Sequence, residues 1–277
     1  MNPFLYDIYR VLRNRGVLLL IALTGLLALT ALTIFNAFTS SQGLASVISP
    51  QRTVLLIMGL IYGFFVPVMG IQTGYSTYAR DRATGVLDTV LVRPVTRTQL
   101  ILSRYLAVLV ASALGIGGAL VLLDVMDLAE VGVALPLGQL VGLYVGLVVE
   151  AVAFAGILFL IAHLVRSPGA IMGSAVVVFV LIDIVWFFLL LFVGVLLGGL
   201  TSAQGQAQVV ALEYVDPAGY PFLMLAWVQG GLFGGVIVPP AGGLPSIGLT
   251  LGGLAIAGAF WSIVPFAISL WLARRRD

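Results

Sequence analysis

The sequence predicts an all-α integral membrane protein with about six transmembrane helices and with both termini in the cytoplasm. Three observations predict this fold: an apolar composition, several apolar runs as long as a bilayer requires, and arginines that gather in alternate connections. Hydrophobic residues make up 61% of the 277 residues, charged residues make up 9%, and the mean hydropathy is +1.17. Such a chain has too little polar surface to cover a water-soluble globule, so lipid must be its solvent.

The apolar runs predict the individual spans. A helix needs roughly 20 apolar residues to cross the hydrocarbon core, and at least six runs reach that length. The runs are continuously apolar and do not alternate with polar residues, which favours helices over a β-barrel. We predict one transmembrane domain over 1–277, with spans at about 17–38, 53–78, 100–123, 137–164, 169–198 and 247–272.

The arginines predict the orientation. All thirteen basic residues are arginines, and only Arg52 falls in a connection on the side opposite to the others. Positive charge is retained on the cytoplasmic face during insertion, which places both termini inside. The other arginines precede the first span, separate the second from the third and the fourth from the fifth, or end the chain: Arg10, Arg13, Arg15, Arg80, Arg82, Arg93, Arg97, Arg104, Arg166, Arg274, Arg275 and Arg276.

The external segment 199–246 contains a further apolar stretch, from about Tyr220 to Val238. A seventh span there would put the terminal arginines outside. The stretch is rich in glycine and flanked by prolines, which suits a re-entrant or interfacial hairpin better than a straight helix. We therefore predict re-entrant or interfacial external helices before the last span.

Composition excludes several kinds of chemistry. The chain has no cysteine, so it has no disulfide or thiolate site. The single histidine, His163, leaves no imidazole cluster for a metal or a proton relay, and we interpret it as an interfacial polar residue. The net charge of +2 is too small to suggest nucleic acid as a partner. An intramembrane enzyme is disfavoured because no catalytic motif appears within the spans.

The stretch from Arg80 to Arg104 is the longest polar segment. Apolar residues recur at helical spacing between Asp81 and Val92, which predicts a short amphipathic helix at the cytoplasmic surface. Pro94 ends that helix, because its ring and its missing N–H oppose continuation. Thr96 to Gln99 then fits a capping box at the start of the third span. Taken alone, such a segment is equally well interpreted as a surface helix anchored on anionic lipid.

The same segment resembles the signature of type-two ABC exporter permeases. The similarity covers an Arg80-Asp81-Arg82 cluster, Gly85-Val86-Leu87-Asp88, Val90-Leu91, Pro94-Val95-Thr96-Arg97 and Arg104. Two further segments add to it. Residues 2–15 are similar to the family's amphipathic elbow helix, and Asp216 to Phe222 is similar to an element in permeases of the nitrous-oxide-reductase maturation branch.

The resemblance implies a function for the segment at 80–97. In that family it is the coupling helix, which sits in a groove of a separate ATPase subunit. The implied coupling residues are Arg80, Asp81, Arg82, Gly85, Val86, Leu87, Asp88, Leu91, Pro94 and Arg97.

The resemblance also implies the partners of the chain. They are two ABC ATPase subunits, which bind ATP and Mg²⁺, and a second permease copy in a homodimer within a prokaryotic cell membrane. ATP cannot bind this sequence through a P-loop, since that motif needs a lysine and the chain has none. We therefore expect no cofactor in this chain and no catalytic residues.

Two acids lie inside predicted spans. Glu150 is midway along the fourth span and Asp183 midway along the fifth, at nearly equal distances from the turn between them. Charge inside a bilayer costs a few kcal/mol or more, so such acids mark function or tight pairing. Gly138, Gly142 and Gly146 share the face of Glu150, and small residues at this spacing allow close helix contact. Both interpretations stay open: a protonated structural acid, or a site for a cationic substrate or a coupled proton.

Three functions remain compatible with the sequence. The first is the permease subunit of an ATP-driven exporter. The second keeps the ATPase but moves no solute, and pushes on an external protein through 199–246. The third is independent of ATP, either a secondary carrier built around Glu150 and Asp183 or a membrane scaffold. The substrate cannot be inferred, because an apolar pathway needs no diagnostic residue.

Overall fold

The computed structural model describes residues 3–41, 50–87, 96–132, 134–196, 202–229 and 243–275. Throughout these ranges the chain is helical with short connections, and no strand occurs in them. Six helical stretches are long and apolar enough to cross a membrane, which confirms an all-α integral membrane protein with about six spans. They are span 1 (Arg15–Ile34), span 2 (Ile57–Ala83), span 3 (Arg97–Ala129), span 4 (Leu137–Leu164), span 5 (Pro168–Leu196) and span 6 (Leu251–Arg274).

Eleven α-helices occur in the described ranges. Two π-helical turns interrupt them: Tyr75–Ala79 joins α3 to α4 within span 2, and Val180–Val185 joins α7 to α8 within span 5. The helices are α1 (Pro3–Leu12), α2 (Arg15–Ser41), α3 (Pro50–Gly74), α4 (Arg80–Ala83), α5 (Arg97–Val131), α6 (Leu137–Leu164), α7 (Pro168–Phe179), α8 (Trp186–Leu196), α9 (Ala203–Glu213), α10 (Tyr220–Gln229) and α11 (Leu251–Arg274).

Polar side chains fix where several helices begin. The capping box predicted before the third span is confirmed: the Thr96 hydroxyl accepts the Gln99 N–H, and the Gln99 carboxamide accepts the Thr96 N–H, both at 3.2 Å. Ser167 caps α7 in the same position, and Thr250 caps α11. These bonds satisfy backbone donors that the first helical turn leaves without a partner.

Helix α6 is the centre of the bundle, since it packs against α3, α5, α7, α10 and α11. Its contact with α3 is close because Gly70 lies directly against the carbonyl oxygen of Ala151, where a larger residue would not fit. In lipid, helices associate through such packing and through polar contacts, because hydrocarbon gives no hydrophobic drive between them. Small residues therefore determine which helices touch.

Helices α9 and α10 form a hairpin on the half of the bundle in which α6 begins. Near the start of α6, Gly142 lies against the side chain of Val228 at the end of α10. One turn further along α6, Gly146 lies where a Cβ would be 2.7 Å from the Cα of Pro221, at the start of α10. Helix α10 thus runs antiparallel to α6, and the first residues of α10 lie further from the start of α6 than its last residues do. The described part of the segment, 203–229, is helical and packs against the bundle, and 230–242 lies outside the described residues. The re-entrant or interfacial geometry stays a prediction.

Within the described ranges, only two of the three glycines on this face of α6 contact another helix. Gly142 and Gly146 contact the hairpin, whereas a Cβ at Gly138 would meet nothing within 4 Å. Gly138 is close to the start of α6, beyond the end of α10. The predicted interface on this face of the helix therefore begins at Gly142.

Replacing Gly146 with alanine should lower the thermal stability of the purified protein. The added methyl group would push against the backbone of Pro221, and overpacking of this kind costs about 1–3 kcal/mol. Gly138→Ala is the matched control, since it adds the same methyl group on the same face into open space. Equal melting temperatures for the two variants would show that the hairpin does not pack here.

Candidate functional site

The segment that links spans 2 and 3 starts differently from the predicted surface helix. We predicted that this helix begins near Asp81, but Arg80–Ala83 continues span 2. The π-helical turn makes this continuation possible, because the N–H of Arg80 donates to the carbonyl of Tyr75 and the helix does not break. The break follows at Gly85, whose φ of +76° favours glycine. Helix resumes at Val86 and Leu87, where the described range ends.

A buried carboxylate joins three elements at this end of the bundle. Asp81 Oδ2 accepts a hydrogen bond from Arg104 at 2.8 Å and another from Arg10 at 2.9 Å, and its Oδ1 accepts a second bond from Arg10 at 3.1 Å. Arg10 belongs to α1 and Arg104 to α5, so one side chain ties the N-terminal helix and span 3 to the C-terminal end of span 2. Arg104 also donates to the carbonyl of Thr77 at 2.5 Å.

The two ion pairs differ in exposure. The side chain of Arg104 is 5% exposed and that of Arg10 is 37% exposed, against 8% for Asp81. The Asp81–Arg104 pair is therefore shielded from solvent, while water and salt weaken the pair with Arg10. Asp7 of α1 is also buried beside this group. Burial raises the pKa of the Asp7 carboxyl, and the charges of Arg104 and Arg10 act against that rise.

A cavity of about 380 Å³ opens next to the ion pairs. Its wall includes three arginines, Arg82, Arg97 and Arg166, which come from span 2, span 3 and the turn after span 4. Gly85 and Leu87 complete the wall on the side of the linking segment. The cavity therefore presents positive charge beside the residues that the sequence singled out for coupling.

The single histidine lies beneath this cavity and not at an interface with lipid. His163 is 2% exposed, and its Nε2 lies 3.0 Å from the hydroxyl of Tyr78. Its Nδ1 lies 2.9 Å from the carbonyl of Phe159 and 3.0 Å from the hydroxyl of Ser269. Nδ1 must donate to a carbonyl, so a neutral ring that accepts the Tyr78 proton at Nε2 is compatible with these three contacts. Spans 2, 4 and 6 are joined through this one ring.

The predicted coupling residues differ in where they lie. Asp81 is buried in the ion pairs, and Arg82, Leu87 and Arg97 line the cavity. Arg80 and Val86 are exposed, and Gly85 forms the turn. Outside the described residues lie Asp88, Leu91 and Pro94.

The two intramembrane acids lie close enough for their charges to interact. Glu150 is completely buried, while Asp183 is half-buried within the second π-helical turn. The structure brings two more acids to them, Glu213 at the end of α9 and Asp216 in the hairpin turn. No group of three His, Asp or Glu side chains among the described residues is arranged to hold a metal ion.

Sequence reasoning missed several of these residues. Arg10 was visible as a topology signal, and Arg104 as a topology signal and as part of the family signature, but nothing in the sequence shows which arginine is buried. Asp216 was noted as part of a motif, and Glu213 was not singled out. The signal available for both acids was their position beside the predicted re-entrant stretch.

Changing Asp81 to asparagine should destabilise the protein strongly. It leaves the buried guanidinium of Arg104 without a counter-charge, and breaking a buried pair costs about 3–5 kcal/mol. Arg10→Gln should cost less, about 0.2–1 kcal/mol, because that pair is partly solvated. Thermal unfolding in detergent measures both, with the exposed Arg80→Gln as control. If the Asp81→Asn variant has the same melting temperature as the Arg80→Gln variant, the buried ion pair does not stabilise this end of the bundle.

Changing Tyr78 to phenylalanine should cost about 1–3 kcal/mol, because Nε2 of the buried His163 loses its donor. Tyr75→Phe removes the same hydroxyl three residues earlier, from a half-buried side chain of the same turn, and should have little effect. The measurement compares the melting temperatures of the two variants with that of the wild-type protein. A loss of equal size in both variants would contradict the role of the histidine ring.

Comparison with known proteins gives the same identification over the whole chain. The family model described as "ABC-2 family transporter protein" matches residues 1–277. The chain is also similar to a protein of Pseudomonas aeruginosa described as "Probable ABC transporter permease protein NosY", with 28% identity. That alignment covers 96% of this chain and 94% of the relative. This chain, which crosses the membrane several times, therefore belongs to the ABC-2 family of transporter permeases.

Proposed function

We propose that this permease exports a substrate from a prokaryotic cell by coupling to a separate ATPase, whose subunits bear on the cytoplasmic segment 80–97. The observation that carries the proposal is the buried Asp81, which binds Arg10 and Arg104 together. A force on the linking segment needs a stiff connection to act on the spans. The Asp81 bonds supply that connection to α1, span 2 and span 3.

Charge and shape support the same contact. Arg82, Arg97 and Arg166 line the cavity beside Gly85 and Leu87, so an acidic or polar surface on the partner would meet positive charge there. Asp81 is not available to the partner in this role, since it is 6% exposed. Its part is to position the segment, and the direct contacts fall to the residues that follow it. The ATPase supplies ATP and Mg²⁺ chemistry, and this chain supplies the pathway.

A second copy of the chain completes the proposed unit. Span 5 presents an apolar surface on which Asp183 is half-buried. An ionisable group on a lipid-facing surface is costly, so this surface suits a protein interface or an aqueous pathway better than hydrocarbon. A two-fold pair of permeases with two ATPase subunits satisfies this requirement.

The proposal predicts that Gly85→Ala weakens the coupling to the ATPase. Alanine at a φ of +76° costs about 1–2 kcal/mol and shifts the turn that leads into the linking segment. The complex is purified through a tag on the permease, and the co-purified ATPase is measured by its ATP hydrolysis. We expect less ATPase per permease, or hydrolysis that no longer responds to the permease.

Gly132→Ala is the matched control. Gly132 has a φ of +75°, ends α5 at the opposite end of the bundle, and has open space around its Cα. It therefore carries the same backbone strain without touching the linking segment. If both variants retain the ATPase equally, segment 80–97 is not the coupling site. If the wild-type protein has no ATPase bound, the carrier and scaffold alternatives take precedence.

One observation favours a second candidate, in which ATP drives an external partner and no solute crosses. Helix α6 runs from the ring of His163 at the cytoplasmic end to the hairpin contacts at Gly142 and Gly146. Movement of its inner end can thus reach the hairpin directly. Reconstituted complexes that hydrolyse ATP in response to an added external protein, with no solute moved, would support this candidate over export.

A further inference from the structure

Four acids lie close enough for their charges to interact where the α9–α10 hairpin packs against the bundle. Glu150 comes from α6, Asp183 from the π-helical turn of span 5, Glu213 from the end of α9, and Asp216 from the turn between the hairpin helices. The charge of Glu150 interacts with those of the other three, and the charge of Asp216 interacts with that of Asp183. This grouping, here called the acid cluster, plays no part in the proposed coupling to the ATPase.

Helix packing explains why the acids converge. Gly146 holds the start of α10 against α6, and Glu150 lies one turn deeper on the same face. Helix α9 packs along α8, which begins directly after the turn that carries Asp183. The tip of the hairpin is therefore held between span 4 and span 5. Gly219 lies directly against a carboxylate oxygen of Glu213, so the tip is closely packed.

No basic residue acts on the acid cluster among the described residues. The packed faces of α3 from Val54 to Gly74 and of α11 from Leu251 to Ala273 carry no charged residue, and α8 carries none. The other titratable groups beside the hairpin tip are phenols. The Tyr220 hydroxyl donates to the carbonyl of Leu254, and the Tyr214 hydroxyl accepts the Thr250 N–H.

Several carboxyl oxygens of the cluster have no hydrogen-bond partner in the described structure. They are both oxygens of Glu150, which is fully buried, one of Glu213, which is 6% exposed, and one of Asp183. Asp216 accepts a bond from the Ala218 N–H at 3.0 Å. An ionised carboxylate buried without a partner is too costly to persist, so such a group takes a proton and becomes neutral.

We propose that Glu150, Asp183, Glu213 and Asp216 form a proton-binding site that the hairpin closes. In the packed arrangement the cluster holds protons, and when the hairpin moves away from α6 water reaches the acids and they release them. The site binds protons from the external side, since the hairpin belongs to the external segment. The inference goes beyond the coupling to the ATPase and does not depend on it.

The pKa values of the two acids outside the spans agree with this site. Burial, together with the charge of Asp216, raises the pKa of Glu213 to about 8. Burial and the charge of Asp183 raise the pKa of Asp216 to about 7, although the backbone N–H groups of Ala218 and Gly219 lower it. Both groups thus bind protons more tightly in the packed arrangement than in water. Packing of the hairpin is therefore strongest in acid and weakens as the pH rises from about 4 to about 8.

The first test detects the protons directly in the isolated permease in detergent. Infrared spectroscopy separates the carbonyl stretch of a neutral carboxyl group from the bands of a carboxylate. We expect a neutral-carboxyl band at pH 7 that disappears as the pH is raised. In the double variant Glu213→Gln, Asp216→Asn we expect the loss of part of that band, because Glu150 and Asp183 still hold protons. The control is Asp124→Asn, an acid at the outer end of α5 that binds the Leu135 N–H outside the cluster.

Two results would overturn the proposal in this test. One is a wild-type spectrum without a neutral carboxyl group at pH 7. The other is a band that sodium or calcium ions abolish at constant pH, because the site would then bind a metal cation in place of protons. Both are read on the permease alone, so neither depends on whether an ATPase binds at segment 80–97.

The second test detects hairpin movement. The chain contains no cysteine, so a single cysteine at Met224 of α10, which lies against Gly146, reports on this contact alone. Its labelling by a membrane-impermeant thiol reagent is divided by that of a cysteine at Leu137, which is 75% exposed, to remove the pH dependence of the thiolate itself. We expect the ratio to rise several-fold between about pH 5 and about pH 9.

The same ratio should rise less with pH in the Glu213→Gln, Asp216→Asn background, because both side chains are then permanently neutral and only Glu150 and Asp183 can still release protons. A ratio that rises as steeply in that background as in the wild-type sequence would overturn the link between the acid cluster and the hairpin. So would a wild-type ratio that does not change with pH.

Discussion

The carboxylate of Asp81 binds two guanidinium groups that reach it from different parts of the chain, at 2.8 Å from Arg104 and 2.9 Å from Arg10. A cation as deeply buried as Arg104 persists only beside an opposite charge, so span 2 and span 3 must meet at this point. The N-terminal helix is attached at the same carboxylate. The cavity, the turn at Gly85 and the beginning of the linking segment all take their positions from this one group of bonds.

The opposite half of the bundle is held together by close backbone contact instead of charge. Gly70, Gly142 and Gly146 let α3 and α10 approach α6 to distances that a larger residue would prevent. Helix α6 is therefore fixed at both ends by different means, through the His163 ring near the arginines and through glycines near the hairpin. A helix held in this way moves as a unit, and a displacement at one end is carried to the other.

The fold was predictable where the physics is local. Six long apolar runs and the Thr96–Gln99 capping box are each readable from neighbouring residues, and the structure contains both. The start of the linking helix was not readable in this way. The sequence between Asp81 and Val92 has helical spacing throughout, and only the burial of Asp81 by distant arginines shows that its first turn belongs to span 2.

The sequence shows which polar residues stand out in the candidate sites, but it does not show which residues they contact. Glu150 and Asp183 are conspicuous because they interrupt apolar runs. Glu213 and Asp216 are not conspicuous, because acids are ordinary in a connection between spans and only the packing of the hairpin against the bundle buries them. Arg104 looks like any other arginine near a membrane surface. Contacts between distant parts of the chain determine which of these charges is shielded from water, and the periodicity of the sequence does not predict those contacts.

The π-helical turn at Tyr75–Ala79 has an implication for how this part of the sequence tolerates insertions and deletions. A wide turn accommodates one residue more than a regular helix would, and each residue of an α-helix rotates the chain by about 100°. Deleting a single residue there would restore a regular helix and leave Asp81 close to its present direction, because the wide turn takes up the extra residue. Deleting a residue from the regular helix on either side of the turn would instead swing Asp81 about a quarter of a circle away from Arg104. Span 2 therefore has one place where the loss of a residue is tolerated between its contact with α6 and Asp81, although its apolar composition alone would permit many lengths.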